Sequence, residues 1–247
     1  SIKSAREIEL MREAGKLLAH VHQELEAMIA PGISTWEIDA KGEKLIRDCG
    51  CIPNFLHYNG YPASICVSVN DEVVHGIPRK DRYLKEGDIV SLDAGLIYKG
   101  YHSDAARTHA VGKVSTEAQK LMDVTKQSFF EGIKMAKEGQ HLHDISRAIE
   151  EYVAPYGYGI VRDLVGHGIG TALHEDPQIP NYAQKRRGVR LQAGMTLAIE
   201  PMINAGTWQV RFLRDGWTVV TKDGSLSAHY ENTILVTDGE PEILTLY

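Results

Sequence analysis

Five side chains of the kinds that bind metal ions, Asp93, Asp104, His167, Glu200 and Glu231, are spread over more than half of a 247-residue chain. Four of them fall into two matching frames. Sliding the sequence against itself by 107 positions superposes Gly32 on Gly139, Ile38 on Ile145, Gly50 on Gly157, Gly87 on Gly194 and Asp93 on Glu200. A further 20 positions superpose Asp104 on Glu231 and Gly112 on Gly239. Each half therefore offers one acid six residues after a glycine and a second acid eight residues before another. A single acid of this kind is most often a solvated surface carboxylate. Unrelated surface acids have no reason to share a register, so the duplication favours one site shared by two half-domains.

Four carboxylates and one histidine are too many for one tetrahedral zinc. They suit hard or borderline cations such as Mn, Fe(II), Co and Zn. Two such ions about 3.5–4 Å apart, with carboxylates bridging them, acidify water and clamp a tetrahedral intermediate, which is the chemistry of hydrolysis. His167 lies in Gly166-His167-Gly168-Ile169-Gly170. Glycines on both sides remove bulk and let backbone and substrate approach. No Lys-Ser/Thr follows, so a phosphate loop is disfavoured. His174, in His174-Glu175-Asp176-Pro177, has no second histidine three residues beyond Glu175, which excludes the His-Glu-x-x-His zinc motif. His75, in Val74-His75-Gly76-Ile77-Pro78, is a further candidate, although a lone histidine is more often structural.

The elements that must position these groups can be read from capping and periodicity. Ser4 to Glu7 and Ser34 to Glu37 form capping boxes, and helices are expected over about 4–29 and 35–49. The second half echoes them at about 116–137 and 142–155. Asp88 to Ala94 is rich in β formers and leads through Tyr98-Lys99-Gly100 into a returning strand from about Tyr101 to Val111. A turn centred near Tyr98-Lys99 would put Asp93 and Asp104 directly opposite on one face. Like charges so placed destabilise a sheet unless a cation lies between them. Met195 to Ile203 and Leu226 to Thr237 are the matching pair, with the extra repeat residues in their connection.

Bulk properties bound the answer. The chain is 43% hydrophobic, has a net charge of -6, and its longest positive run is Lys185-Arg186-Arg187, so nucleic-acid binding is not expected. No apolar run approaches the roughly 20 residues that span a bilayer, and acidic residues near the start with no apolar signal core argue against secretion. Cys49, Cys51 and Cys66 give no disulfide framework and fit a reducing cytoplasm. No Ser/Gly-rich, Pro-rich or long charged linker separates the halves. One domain over 1–247, with pseudo-repeat halves of about 1–113 and 114–247, is expected.

At these residues the chain resembles the methionine aminopeptidases, in their bacterial type I form, over essentially its whole length. The specific pieces are Ser68-Val69-Asn70 through Val74-His75-Gly76-Ile77-Pro78 and Gly87-Asp88-Ile89-Val90-Ser91-Leu92-Asp93. They continue with Gly100-Tyr101-His102-Ser103-Asp104, Gly166 to Gly170 with His174-Glu175, Met195 to Pro201, and Glu231. The resemblance implies an α+β pita-bread fold, a curved, mostly antiparallel sheet with helices outside and two pseudo-symmetric halves. It implies removal of the initiator methionine from peptides and nascent chains, preferentially before a small second residue. Asp93 then resembles the chelating ligand of one metal, His167 and Glu200 ligands of the other, and Asp104 and Glu231 the bridging carboxylates. Glu200 also resembles a proton shuttle, His174 a donor to the substrate carbonyl, and His75 a contact to the scissile amide nitrogen. The free amine of the substrate would bind a metal, which explains exopeptidase action. Tyr58, Tyr61, Cys66, His75 and Trp217 resemble the methionine pocket. The implied cofactor is two divalent ions drawn from Co, Mn, Fe(II), Ni or Zn, with Fe(II) or Mn favoured. The implied setting is a cytoplasmic monomer with transient ribosome association and no membrane partner.

Three positions depart from the family. Asn232 follows Glu231 where histidine is usual, His229 stands where glutamine is common, and Leu173 occupies a position often aromatic. Asn232 and His229 are expected beside the ligands, where such partners tune metal affinity. Xaa-Pro aminopeptidases and proline dipeptidases carry similar ligands but usually an added N-terminal domain. Binding modules of this fold have lost metal ligands, whereas all four acids and the one histidine stand here. Creatinase-like chemistry needs no metal set.

Overall fold

A computed structural model describes residues 1–247. The first half comprises α1 (Ala5–Ala27), α2 (Thr35–Asp48), β1 (Ile52–Pro53), β2 (Ile65–Val69), β3 (Glu72–Val74), β4 (Ile89–Tyr98) and β5 (Tyr101–Ala110). The second half opens with α3 (Thr116–Ile133), α4 (Leu142–Val153), β6 (Gly159–Ile160), β7 (Gly166–Gly168), β8 (Glu175–Ile179) and β9 (Thr196–Ile199). It closes with β10 (Met202–Asn204), β11 (Val210–Phe212), β12 (Val219–Thr221), β13 (Ser227–His229), β14 (Asn232–Leu235) and β15 (Glu242–Ile243).

Both expected capping boxes are present: Ser4 and Ser34 accept from the amides of Glu7 and Glu37, whose carboxylates accept from the cap amides. α1 buries Met11, Ala14, Leu18, Val21 and Leu25, a spacing of three and four that forms one helical stripe. That stripe joins Ile38 and Ile46 of α2 against Ile65, Val67, Leu92 and Ala94 of the first sheet. A second core packs Leu121, Phe129, Ile145 and Ile149 of α3 and α4 against Leu197, Ile199 and Ile234. A smaller cluster draws on both halves, with Met11, Phe55, Tyr61 and Cys66 packed against Ile169, Leu173 and Ala198.

In the first sheet β4 is flanked by β5 on one side and by β1 and β2 on the other. The second runs β15-β14-β9-β7-β8. All pairings in both sheets are antiparallel. An isolated bridge between Ala106 and Glu231 joins the sheets, each amide donating to the other carbonyl.

The repeat is visible atom by atom. Gly32 and Gly139 have φ of 92° and 90°, and their amides donate to Leu84 and Leu191, which are related by the same 107 positions. Gly87 and Gly194 have φ of 95° and 97° and donate to Val111 and Val236. The second frame, however, is not the expected one. Val111 to Val236 is 125 positions, a further 18 rather than 20. Strand register agrees: Asp93 pairs with Ala106, and the pairs Ile199–Asn232 and Met202–His229 put Glu200 opposite Glu231. By backbone position, therefore, Glu231 is the counterpart of Ala106, and His229 that of Asp104. The Gly112–Gly239 match has no structural counterpart, since only Gly112 has a positive φ.

Two further expectations are corrected. Tyr98 pairs with Tyr101, so the β4–β5 turn is Lys99-Gly100, with φ of 48° and 86°. Two successive positive φ values make the tight turn that matches strand twist. Asp93 and Asp104 are accordingly not directly opposite: Asp104 faces Gly95, and the two acids are diagonal neighbours on one face. The second-half strands, expected continuous, are interrupted at Glu200-Pro201 and Tyr230-Glu231 while keeping one register across the gap. Proline has no amide for the ladder, which helps to place the break at Pro201.

Candidate metal centre

The five expected ligand side chains converge where the two sheets meet. Asp93 lies on β4 between β2 and β5, and Asp104 lies on β5. Thr233 Oγ1 accepts from the Asp104 amide at 3.1 Å and donates to its carbonyl at 2.8 Å. His167 sits on β7 between β8 and β9, where a Cβ on Gly166 would come 2.4 Å from the Ala198 carbonyl oxygen and one on Gly168 2.3 Å from that of Asp176. The flanking glycines are thus demanded by backbone on both sides. Glu200 and Glu231 occupy the two strand interruptions; Asn181 Nδ2 donates to the Glu200 carbonyl at 3.1 Å.

His167 Nε2 is 3.5 Å from Asp104 Oδ2, 3.5 Å from Glu200 Oε1 and 3.9 Å from Glu231 Oε2. Ligands about 2.1 Å from a common ion in tetrahedral array stand about 3.4 Å apart, so these separations fit donors around a cation. Donor atoms of Asp93, Glu200, His229 and Glu231 form a second group within 4.8 Å of one another. Asp93 Oδ1, Asp104 Oδ1, His167 Nε2 and both carboxylate oxygens of Glu231 are buried without a hydrogen-bond partner in the protein. Orphaned polar atoms are costly singly, and here they cluster. The donor set therefore fits divalent metal.

The electrostatics agree. Burial, then the neighbouring Asp104, pushes the Asp93 carboxyl well above the usual range. Burial, with Asp104 and Glu200, does the same to Glu231. Burial opposes a charged His167, but the Asp104 and Glu200 carboxylates outweigh it and push its pKa up to about 9. Burial would also raise Asp104, yet His167 prevails and leaves it lowered. Without cations the cluster holds protons, which an incoming ion displaces.

Beside the ligands is a cavity of about 210 Å³, lined among others by Phe55, Tyr58, Tyr61, Cys66, His75 and Trp217, with Asp93, Asp104, His174 and Glu200 at its polar end. Sites for drug-sized ligands run to roughly 300–1,000 Å³, so this one suits a single side chain. Cys66 is paired with Asp93 across the β2–β4 ladder, which sets the thiol beside the acid. Tyr61 donates to the Gly76 carbonyl at 3.0 Å and meets Trp217 edge-on at 5.1 Å. His75 meets the same indole at 6.3 Å and has a φ of 60°, a conformation rare in residues with a Cβ. All the expected pocket residues are thus together. Tyr58 does more than line the wall: its hydroxyl is 2.9 Å from His174 Nδ1. The His174 and His167 rings lie 4.2 Å apart.

Phe55 and Asn59, which also line the cavity, were not among the expected residues. They lie in the irregular segment between β1 and β2, where no periodicity marks a face. Of the two departures flanking Glu231, His229 does face the cluster, its Nε2 3.0 Å from Glu200 Oε2. Asn232 does not. Strand alternation turns it to the opposite face, where its Oδ1 accepts from Arg107 and Thr245.

No helix is long and apolar enough to cross a membrane. The sequence description of metallopeptidase family M24 matches residues 9–238. A methionine aminopeptidase of Clostridium acetobutylicum is 54% identical over 99% of this chain and 98% of its own length. The crystal structure of a methionine aminopeptidase from Thermotoga maritima superposes with a TM-score of 0.98 at 47% identity, covering 100% of this chain and 99% of that one. An Xaa-Pro dipeptidase from Bacillus anthracis shares the architecture less closely, with a TM-score of 0.78 at 25% identity, and this chain covers 61% of its length. The pita-bread fold, with its two pseudo-symmetric halves, is the fold of this protein. Its acidic and histidine cluster and its match along almost the whole chain make it a metal-binding hydrolase that belongs to metallopeptidase family M24.

Proposed function

We propose that the protein is a methionyl aminopeptidase, which removes N-terminal methionine from peptides and nascent chains, preferentially before a small second residue. One observation carries this reading: a cluster of five ligand-type side chains reaches, through Asp93, Asp104 and Glu200, one end of a cavity sized for a single side chain and lined by aromatic rings and a thiol. Thioethers pack favourably on aromatic edges, which suits methionine. Full-length similarity to proteins named methionine aminopeptidase supports the same conclusion.

Two divalent ions would be held in the cluster by Asp93, Asp104, His167, Glu200 and Glu231. Fe(II) and Mn are favoured, with Co, Ni and Zn as further candidates, because mixed carboxylate and imidazole donors accept all of these. When bound, the ions supply Lewis acidity that makes water a better nucleophile and polarises the scissile carbonyl. Glu200 takes the proton of the attacking water and delivers it to the departing amine. His174 donates to the carbonyl oxygen as it gains charge. His75, half-buried and edge-on to Trp217, contacts the scissile amide nitrogen. Tyr58, Tyr61, Cys66 and Trp217 hold the methionine side chain.

Residues 1–247 are taken as one catalytic unit, with halves of about 1–113 and 114–247; ligands drawn from both halves support this. Three free cysteines suit the cytoplasm, where the unit would act as a monomer on chains leaving the ribosome.

The test is peptide cleavage by chelator-stripped protein, followed by mass spectrometry, with Mn, Fe(II) or Co restored. Met-Ala-Ser should lose methionine in a metal-dependent way, while Met-Lys-Ser and Leu-Ala-Ser should remain intact. Preference for Ala-Pro-Ser would move the protein to the proline-specific branch. No cleavage with any metal would overturn the enzyme reading.

A further inference from the structure

His229 ends β13 and is 1% exposed, and the ligand set assigned above leaves it without a role. Its place follows from the internal two-fold. Thr108 Oγ1 donates to the His229 carbonyl and accepts from its amide, both at 2.8 Å. Thr233, 125 positions on, makes the same two bonds to Asp104. The fold therefore puts His229 where its other half puts a metal-type acid.

The imidazole Nε2 is 3.0 Å from Glu200 Oε2, while Glu200 Oε1 faces His167 Nε2 at 3.5 Å. An ionised carboxylate can only accept, so the proton of this bond is on Nε2. Nε2 stands at hydrogen-bond distance from Oε2, and a ring nitrogen that carries the proton of that bond offers no lone pair to an ion. The geometry assigns His229 as a positioning residue for Glu200 rather than as a ligand. Its N–H holds Oε2, and the carboxylate cannot rotate Oε1 away from His167. This assignment rests on the reading of Glu200 as ligand and proton carrier.

The test compares His229→Gln, which keeps an N–H donor, with His229→Ala, which does not. His229→Met, apolar and of similar bulk, replaces the alanine variant should that one fail to fold. Affinity for Mn(II) is measured by competition with a chromophoric chelator, and the ligand field by the visible spectrum of the Co(II) protein. kcat and KM on Met-Ala-Ser are measured at saturating metal. Loss of an outer partner typically costs 10–100-fold in metal affinity or activity. His229→Ala should show that loss in the weaker-held ion and in kcat, with little change in KM. His229→Gln should recover most of it and keep the parent Co(II) spectrum. Parent behaviour in His229→Ala would overturn the assignment. So would a glutamine variant as impaired as alanine with an altered Co(II) spectrum, since the ring would then be a ligand. Glu200→Gln serves as the separate control. Full hydrolysis by that variant would remove the role of Glu200 itself, whatever His229 does.

Discussion

Tyr58 and His174 offer a quantitative test of how the centre stabilises negative charge. Burial, then the neighbouring His167, lowers the His174 pKa from its usual value, which favours the neutral ring with one proton. If Tyr58 donates its hydroxyl to Nδ1 across the observed 2.9 Å, that proton must be on Nε2. Tyr58→Phe keeps the aromatic wall and removes only this bond. A neutral hydrogen bond contributes about 0.5–1.5 kcal/mol. Tyr58 is 37% exposed, so water partly replaces what is lost and a cost near 1 kcal/mol is expected. That corresponds to a roughly fivefold fall in kcat, against about 10²–10³ for His174→Ala if it is the donor to the oxyanion. The assay is a double-mutant cycle on Met-Ala-Ser, recording kcat and KM separately. Tyr58→Phe should lower kcat in the parent and do nothing further in His174→Ala, a coupling of about 1 kcal/mol. Equal losses in both backgrounds would refute the reasoning, as would a raised KM at unchanged kcat, because Tyr58 would then act on the methionine side chain alone.

Other consequences are simpler to check. Asp93→Ala should abolish hydrolysis by dismantling the ion cluster; an inactive variant that still held two ions by elemental analysis would contradict its assignment as a ligand. Metal affinity should rise with pH. Ions bind deprotonated ligands, and His167, with its pKa near 9, must lose a proton first. Between pH 6 and 8 this group alone implies about tenfold per unit, and a pH-independent dissociation constant in calorimetry would contradict it. Thr233→Val conserves shape but leaves the buried Asp104 amide and carbonyl unpaired, at about 1–3 kcal/mol each. A fall in Tm of at least several degrees is expected for a chain of this size, and an unchanged Tm would mean that water reaches Asp104. Gly166→Ala drives a Cβ to 2.4 Å from the Ala198 carbonyl oxygen and should lower both Tm and metal content.

The parts of the architecture set by local chemistry were legible in the sequence. Capping boxes mark two helix starts within a residue or so, because hydroxyl and carboxylate at fixed spacing answer a local need of the backbone. Asp93 and Glu200 could be found because duplication carried them in step with Gly87 and Gly194, both of positive φ. What escaped was set by contacts distant in sequence. The Tyr58–His174 bond spans 116 residues, and no local pattern announces it. Three positions separate His229 from Asn232, so alternation turns them to opposite faces, although both stand close to Glu231 in sequence. The turn at Lys99-Gly100 moved the register by one residue on each strand because a lysine accepted the left-handed conformation beside a glycine.

The error in the second repeat frame has a physical cause of its own. Matching residue types aligns Asp104 with Glu231, whereas matching backbones aligns Asp104 with His229 and Ala106 with Glu231. Ala106 and Glu231 are paired across the seam, each bonded to the other, so the pseudo-two-fold passes between them. Directly opposed side chains on one face of a sheet lie about 5 Å apart. Two glutamates there would repel each other and compete for one position in the cluster. One counterpart must be small if the other is to reach the centre, and alanine is opposite glutamate. In the first half an acid stands instead one step along the same face, at Asp104. Its own counterpart, His229, is then free to become something other than a carboxylate. Duplication built the scaffold symmetric, but a site on the symmetry axis has room for only one occupant of each kind, and the asymmetry of the ligands follows from that.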